Sequence, residues 1–234
     1  ERILKTDRPG LIYVIPNFNN PTGTCMSGEL RRHVVSLSLR YEIPVVEDDF
    51  AGDFRYDGKE LPALKALDRE GTVIYIRTFS KILLPGVRTG FILAEGPALQ
   101  SFRDRKVTED LAGSELVHRA LTRFITVGRY HAHLRKALRI YRARRDCMGK
   151  ALSASMSDRF RWDLPQGGLF FWLETPEGMD QGELLSRAHE RGVGFAPGRI
   201  FYPGNEPVNR IRLNFTAYAE PDIERGIGIL GSLF

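Results

Sequence analysis

Cysteine is scarce: there are two in 234 residues, Cys25 and Cys147, far apart in sequence. That number builds neither a disulfide framework nor a cysteine-based metal site, and it fits a reducing, cytoplasmic location. Long apolar runs are missing too, and no stretch approaches the ~20 residues that a membrane-crossing helix needs. The opening Glu1-Arg2-Ile3-Leu4-Lys5 contains no Met and no apolar run, so no signal peptide is expected and a fragment or processed chain is. Internal repeats and low-complexity tracts are absent. Neither sign of charge dominates, with 34 Lys and Arg against 29 Asp and Glu, a net +5. Hydrophobic residues at 42% and charged residues at 27% exclude disorder and collagen-like structure, and describe a soluble globular chain. The length suits one large domain, or one domain with a smaller companion.

The patterning is that of an α/β protein. Residues 11–15, 43–46, 72–76 and 91–94 are short apolar runs that read as buried strands. Between the first two, Ser27 is placed to cap a helix reaching about Tyr41, with Leu30, Val34, Val35, Leu37 and Leu39 as its apolar face. Continuous apolar strands alternating with helices indicate a mostly parallel sheet covered on both faces. From 97 to 157 the pattern is helical, with Gly113 and Gly128 as breaks. The last piece, 129–155, is long enough to join two domains. Strands at 168–173 and 209–215 and helices at 182–191 and 221–233 then form a smaller α+β unit. The expected division is 1–128 and 129–234. Between positions 119 and 150 ten Lys and Arg stand against one acid, Asp146, which reads as the solvated face of a long helix rather than a nucleic-acid surface. His131 and His133 are two apart and do not share a helix face, so no metal site is expected.

The polar ends of the strands carry the chemistry. In open α/β sheets ligands bind beyond the carboxyl ends of the strands. Here those ends carry Asn20, then Asp48 and Asp49, then Thr78, Ser80 and Lys81, with Arg88 seven residues further on. A lysine, a carboxylate, two hydroxyls and an arginine at one rim suit a small phosphorylated anion. A desolvated lysine amine also forms Schiff bases with aldehydes.

Asn20-Pro21-Thr22-Gly23, Glu47-Asp48-Asp49, Thr78-Phe79-Ser80-Lys81 and Arg88-Thr89-Gly90 together resemble the fold-type-I aminotransferases that use pyridoxal 5′-phosphate. Later segments agree: Pro165-Gln166-Gly167-Gly168-Leu169-Phe170, Pro197-Gly198-Arg199-Ile200-Phe201 and Arg212-Leu213-Asn214-Phe215. The similarity is to the 2-aminoadipate and kynurenine-type class I/II enzymes, and to the aminotransferase-like domains fused to GntR-type transcription regulators.

The resemblance implies a mostly parallel large domain, incomplete here, and a C-terminal α+β small domain. It implies an amino-group transfer from an amino acid to a 2-oxo acid, with the regulator domain binding the same cofactor as the alternative. Lys81 and Asp48 become the catalytic residues: Lys81 holds the cofactor as a Schiff base and moves a proton, and Asp48 pairs with the pyridine nitrogen. Asn20 donates to the cofactor's phenolate oxygen beside the substrate, and Thr78, Ser80 and Arg88 bind the phosphate. Arg212 clamps the substrate α-carboxylate, with Arg210 two residues back as its competitor. A homodimer is implied for the complete protein. One departure stands out: the family tyrosine after the acidic pair is replaced by Phe50 and Ala51, neither of which donates a hydrogen bond. The resemblance also implies N-terminal elements that this sequence does not contain, including the first strands, a phosphate-cradling loop and a ring-stacking aromatic. An incomplete sheet with exposed apolar surface is therefore expected.

Overall fold

A computed structural model describes residues 1–109, 112–204, 206 and 208–234. By internal contacts the chain divides into two compact units. The first comprises Glu1–Asn17, Cys25–Asp53 and Lys59–Arg135, and the second Phe18–Thr24, Phe54–Gly58 and Lys136–Phe234. The second unit thus takes the chain from Lys136 onward together with two short upstream stretches. Backbone bonds within that unit explain one of them: Tyr56 N–H donates to Gln166 O at 2.9 Å and Gly168 N–H to Phe54 O at 2.8 Å.

The first unit is built on a four-stranded sheet of β1 (Ile12–Val14), β2 (Val45–Asp48), β3 (Val73–Thr78) and β4 (Gly90–Leu93), in that spatial order. β1, β2 and β3 run parallel and β4 is antiparallel to β3. Helix α1 (Arg2–Thr6) precedes β1, α2 (Gly28–Tyr41) links β1 to β2, and α3 (Leu64–Leu67) links β2 to β3. Val35, Val45, Leu64 and Val73 form the core between this sheet face and the two linking helices. The expected cover on both faces is not found among the described residues of this unit. On the opposite face Tyr13 is 53% exposed and Ile92 48%. The expected open apolar surface is therefore present.

Helix α2 corrects a second expectation. Ser27 does cap it, accepting from Leu30 N–H at 3.1 Å. The inward stripe, however, is Arg31, Val35 and Ser38, while Leu30 and Leu39 lie on the exposed side. A buried guanidinium is tolerated only when its donors are satisfied. Arg31 donates to Met26 O at 3.1 Å, Pro62 O at 2.9 Å, Pro16 O at 3.1 Å and Asn17 Oδ1 at 2.6 Å. Glu47, equally buried, accepts the N–H groups of Leu64 and Lys65 at 2.8 Å each, at the start of α3. Burial raises its pKa, with those two bonds acting in opposition.

Beyond β4 come α4 (Gly96–Glu109), α5 (Glu115–Thr126) and the 27-residue α6 (Arg129–Ser155), as the helical pattern required. Positions 110 and 111 of that stretch lie outside the described residues. The second unit holds an antiparallel sheet of β5 (Phe170–Glu174), β6 (Ala196–Pro197) and β7 (Arg210–Asn214), with β7 in the middle. Helices α7 (Gln181–Glu190) and α8 (Glu220–Gly231) complete it, and Phe171, Leu173, Ile211 and Leu213 are buried at alternate strand positions. The basic face of α6 is not wholly solvated: the Arg145 side chain is 4% exposed and pairs with Asp57 and Asp146. Among the described residues no helix is long and apolar enough to cross a membrane.

Candidate active site

The first unit gathers one set of residues at the carboxyl ends of β2 and β3. Successive strand residues face opposite ways, so Glu47 points to the helical side and Asp48 to the open side. Asp49, just past the strand, is buried. Its Oδ1 accepts from Asn17 Nδ2 at 2.9 Å and its Oδ2 from the Tyr75 hydroxyl at 2.7 Å. Burial, then this bond, pushes the Tyr75 hydroxyl above the ordinary tyrosine range. Asp48 is half-buried and accepts one bond, from the Tyr13 hydroxyl to Oδ2. Among the described residues Oδ1 of Asp48 accepts none. Of the two neighbouring carboxylates, only Asp48 has an oxygen that accepts no hydrogen bond among the described residues.

Thr78 ends β3, and the connection to β4 carries Ser80, Lys81 and Arg88. Thr78 sits opposite Gly90 in the antiparallel ladder, so both ends of this connection are pinned together. Phe79 N–H donates to Thr89 O at 2.9 Å, Leu83 N–H to Phe79 O at 2.9 Å, and Ser80 N–H to Thr78 Oγ1 at 3.1 Å. A Cβ on Gly90 would lie 2.5 Å from Arg77 O, so no other residue fits that register. Arg88 takes a left-handed conformation, φ 45°, after the short helical turn Pro85–Val87. Lys81 and Arg88 are both exposed. Neither makes a side-chain hydrogen bond or ion pair among the described residues. Lys81 is exposed between two buried neighbours, Ser80 and Ile82.

The second unit holds Asn20 and Arg212. Asn20 lies in a turn closed by Gly23 N–H to Asn19 O at 2.7 Å, and its bond to Pro21 is cis. Arg212 lies on the central strand β7, opposite Trp172 and Ala196. Its guanidinium stacks 4.1 Å from the Phe170 ring centroid and 4.7 Å from that of Phe201, and its Nη1 donates to Asn20 Oδ1. Burial lowers its pKa from the usual arginine value. Arg212 has no carboxylate partner among the described residues, whereas Arg210 pairs with Glu174 at 2.9 Å. The two arginines are thereby distinguished.

The sequence model for aminotransferase class I and II matches residues 1–230. The chain belongs to this family. It is 36% identical over 231 residues to aromatic-amino-acid aminotransferase 1 of Thermococcus litoralis, covering 97% of this chain and 55% of that protein. It is 34% identical over 217 residues to the HTH-type transcriptional regulator YisV of Bacillus subtilis, covering 93% and 44%. The structure of a Pyrococcus horikoshii kynurenine aminotransferase, in complex with PMP, KYN as substrates and KYA as products, superposes with TM-score 0.93 at 36% identity, covering 99% and 58%. The chain thus spans about half the length of the curated relatives it matches.

Within this aminotransferase fold, the sequence reading missed the polar groups behind the strand ends. Arg77 pairs with Asp53, which also accepts from the Tyr130 hydroxyl at 2.5 Å. Asn17, Tyr75 and Tyr13 hold the acidic pair. The alternation Tyr75-Ile76-Arg77 next to Glu47-Asp48-Asp49 was the available signal. Tyr56 is a structural residue: its hydroxyl donates to Gly168 O at 2.7 Å and its ring meets Phe215 edge-on. Gly167 permits close approach, since a Cβ there would lie 2.2 Å from the Phe18 ring and 2.3 Å from Phe54 O. His133 bonds Ile82 O at 2.8 Å.

Proposed function

We propose that the protein containing this chain is a pyridoxal-phosphate-dependent aminotransferase, moving an amino group between an amino acid and a 2-oxo acid. The observation that carries this reading lies at the strand ends of the first unit. Asp48 offers a free carboxylate oxygen beside a loop bearing Lys81 and Arg88. In the second unit, Arg212 is a stacked guanidinium without a carboxylate partner among the described residues. This donor set fits the cofactor: an amine for the aldehyde, a carboxylate for the ring nitrogen, and a cation with two hydroxyls for the phosphate.

Pyridoxal phosphate, when bound, supplies an aldehyde and an electron-withdrawing ring. Lys81 Nζ would anchor it, and the same amine would carry a proton to and from the substrate Cα. Asp48 Oδ1 accepts from the protonated ring nitrogen. Thr78 and Ser80 donate to the phosphate, and Arg88 neutralises it. With Oδ1 occupied by Arg212, Asn20 has its Nδ2 left to donate to the ring's phenolate oxygen. Arg212 holds the substrate α-carboxylate. Phe50 and Ala51 contribute no hydroxyl here. A homodimer and a cytoplasmic location belong to the same proposal; both cysteines are free thiols.

The test uses the full gene product with added pyridoxal phosphate, unchanged and as Lys81→Ala. A visible band that survives dialysis and is fixed by borohydride only with Lys81 present is the expected result. The absence of any Lys81-dependent band would overturn the reading. The similarity to YisV favours a second reading, an effector-binding domain of a transcription regulator. Addition of amino donors separates the two: an enzyme converts the band and releases a 2-oxo acid catalytically, a sensor binds without turnover.

A further inference from the structure

Tyr13 lies on β1 opposite Val46 of β2, and Asp48 is two residues further along the same face. Diagonal neighbours on adjacent strands are within reach of a long aromatic side chain. The Tyr13 hydroxyl closes that diagonal onto Oδ2 of Asp48. Asp49 has both oxygens bound from within the unit, so its rotamer is over-determined. Asp48 has this single bond among the described residues. Shielding from water, then the bond itself, raises the Tyr13 hydroxyl above the ordinary tyrosine range, so it remains a donor at neutral pH.

We propose that Tyr13 is a positioning residue, whose hydroxyl fixes the Asp48 carboxylate so that Oδ1 is presented to the cofactor's ring nitrogen. The proposal rests on the reading of Asp48 given above. Without the hydroxyl, the carboxylate is free to rotate about Cβ–Cγ, and part of the binding energy of the ring goes into stopping that rotation. Tyr13 is half-exposed, so removing one oxygen leaves the core of the unit intact.

The experiment titrates pyridoxal phosphate into the full gene product carrying Tyr13→Phe, Asp48→Ala, or both. It records the dissociation constant and the visible circular dichroism of the bound cofactor, which reports ring tilt. Tyr13→Phe is expected to weaken binding ~10- to 100-fold, as for loss of one hydrogen bond to a charged group, and to change the dichroic band. With Asp48 already replaced, the same change is expected to add less than ~2-fold, because the two effects run through one contact. An unchanged constant and band in Tyr13→Phe, or an equal loss in both backgrounds, would overturn the proposal. If Asp48→Ala alone changes neither quantity, the reading of Asp48 fails first and the proposal falls with it. Should Tyr13→Phe not fold, 3-fluorotyrosine at position 13 keeps the ring and makes a stronger donor. Tighter binding is then expected, and no change would overturn the proposal.

Discussion

Arg210 and Arg212 point to the same side of β7 two residues apart, yet only one is free to take a ligand. Arg210 spends its charge on Glu174, while Arg212 is stacked by two phenyl rings and bonded to an amide oxygen. Stacking holds a guanidinium without neutralising it. Arg212→Ala is therefore expected to lower kcat/KM for amino and oxo acids ~100- to 1000-fold, the loss of two charge-assisted hydrogen bonds. Arg210→Ala is expected to change it by less than ~3-fold, as for an exposed ion pair. Steady-state kinetics on both variants check this; comparable losses would mean that the wrong arginine has been chosen. The same scale shows what sequence leaves open. Asp48 and Asp49 are chemically identical neighbours, and alternation by itself says only that they face opposite ways. Asn17 and Tyr75, 32 and 26 residues away, occupy the oxygens of Asp49.

Among the elements, α2 is the most instructive. Its start was legible, because Ser27 and Glu29 are local signals for a helix N-terminus. Its buried face was not, because an arginine reads as a surface residue until its acceptors are known. Arg31 finds them in the carbonyls of Pro16 and Pro62 and the amide oxygen of Asn17, supplied by chain 14 to 31 residues distant. Arg31→Ala is expected to destabilise the protein by ~3–5 kcal/mol, leaving a cavity and several buried acceptors unpaired. Urea denaturation would measure this, and a loss below ~1 kcal/mol would mean that water replaces the guanidinium. The β3–β4 connection gave more away, since its Thr78-to-Gly90 spacing carries both the strand ends and the polar residues of the site.

At the scale of the whole molecule, each of the two units holds a buried arginine, Arg31 in the first and Arg145 in the second. In the second unit Asp57 binds Arg145 and Arg142 of α6. The bond from Arg145, then that from Arg142, outweighs the effect of burial and holds the Asp57 carboxyl below its reference value of 3.8. A depressed folded-state pKa contributes stability that is fully present above 3.8 and is lost as pH falls through the lower folded value. Asp57→Asn is expected to lower stability at neutral pH and to flatten the acid limb, modestly because Asp57 is 42% exposed. Urea midpoints followed from neutral to acid pH would show it; an unchanged acid limb would assign that slope to other carboxylates.

Most strand and helix positions, though not α1, α3 or β6, the polar strand ends and the motif set were decided by the sequence itself. They depend on periodicity, caps and short-range spacing, which are local quantities. The buried Arg31, the inward Arg145 and the bonding partners that set Asp48 apart from Asp49, and Arg212 from Arg210, were decided by tertiary structure alone. Each depends on which distant group satisfies a charge or covers a surface, and a linear sequence does not record such pairings.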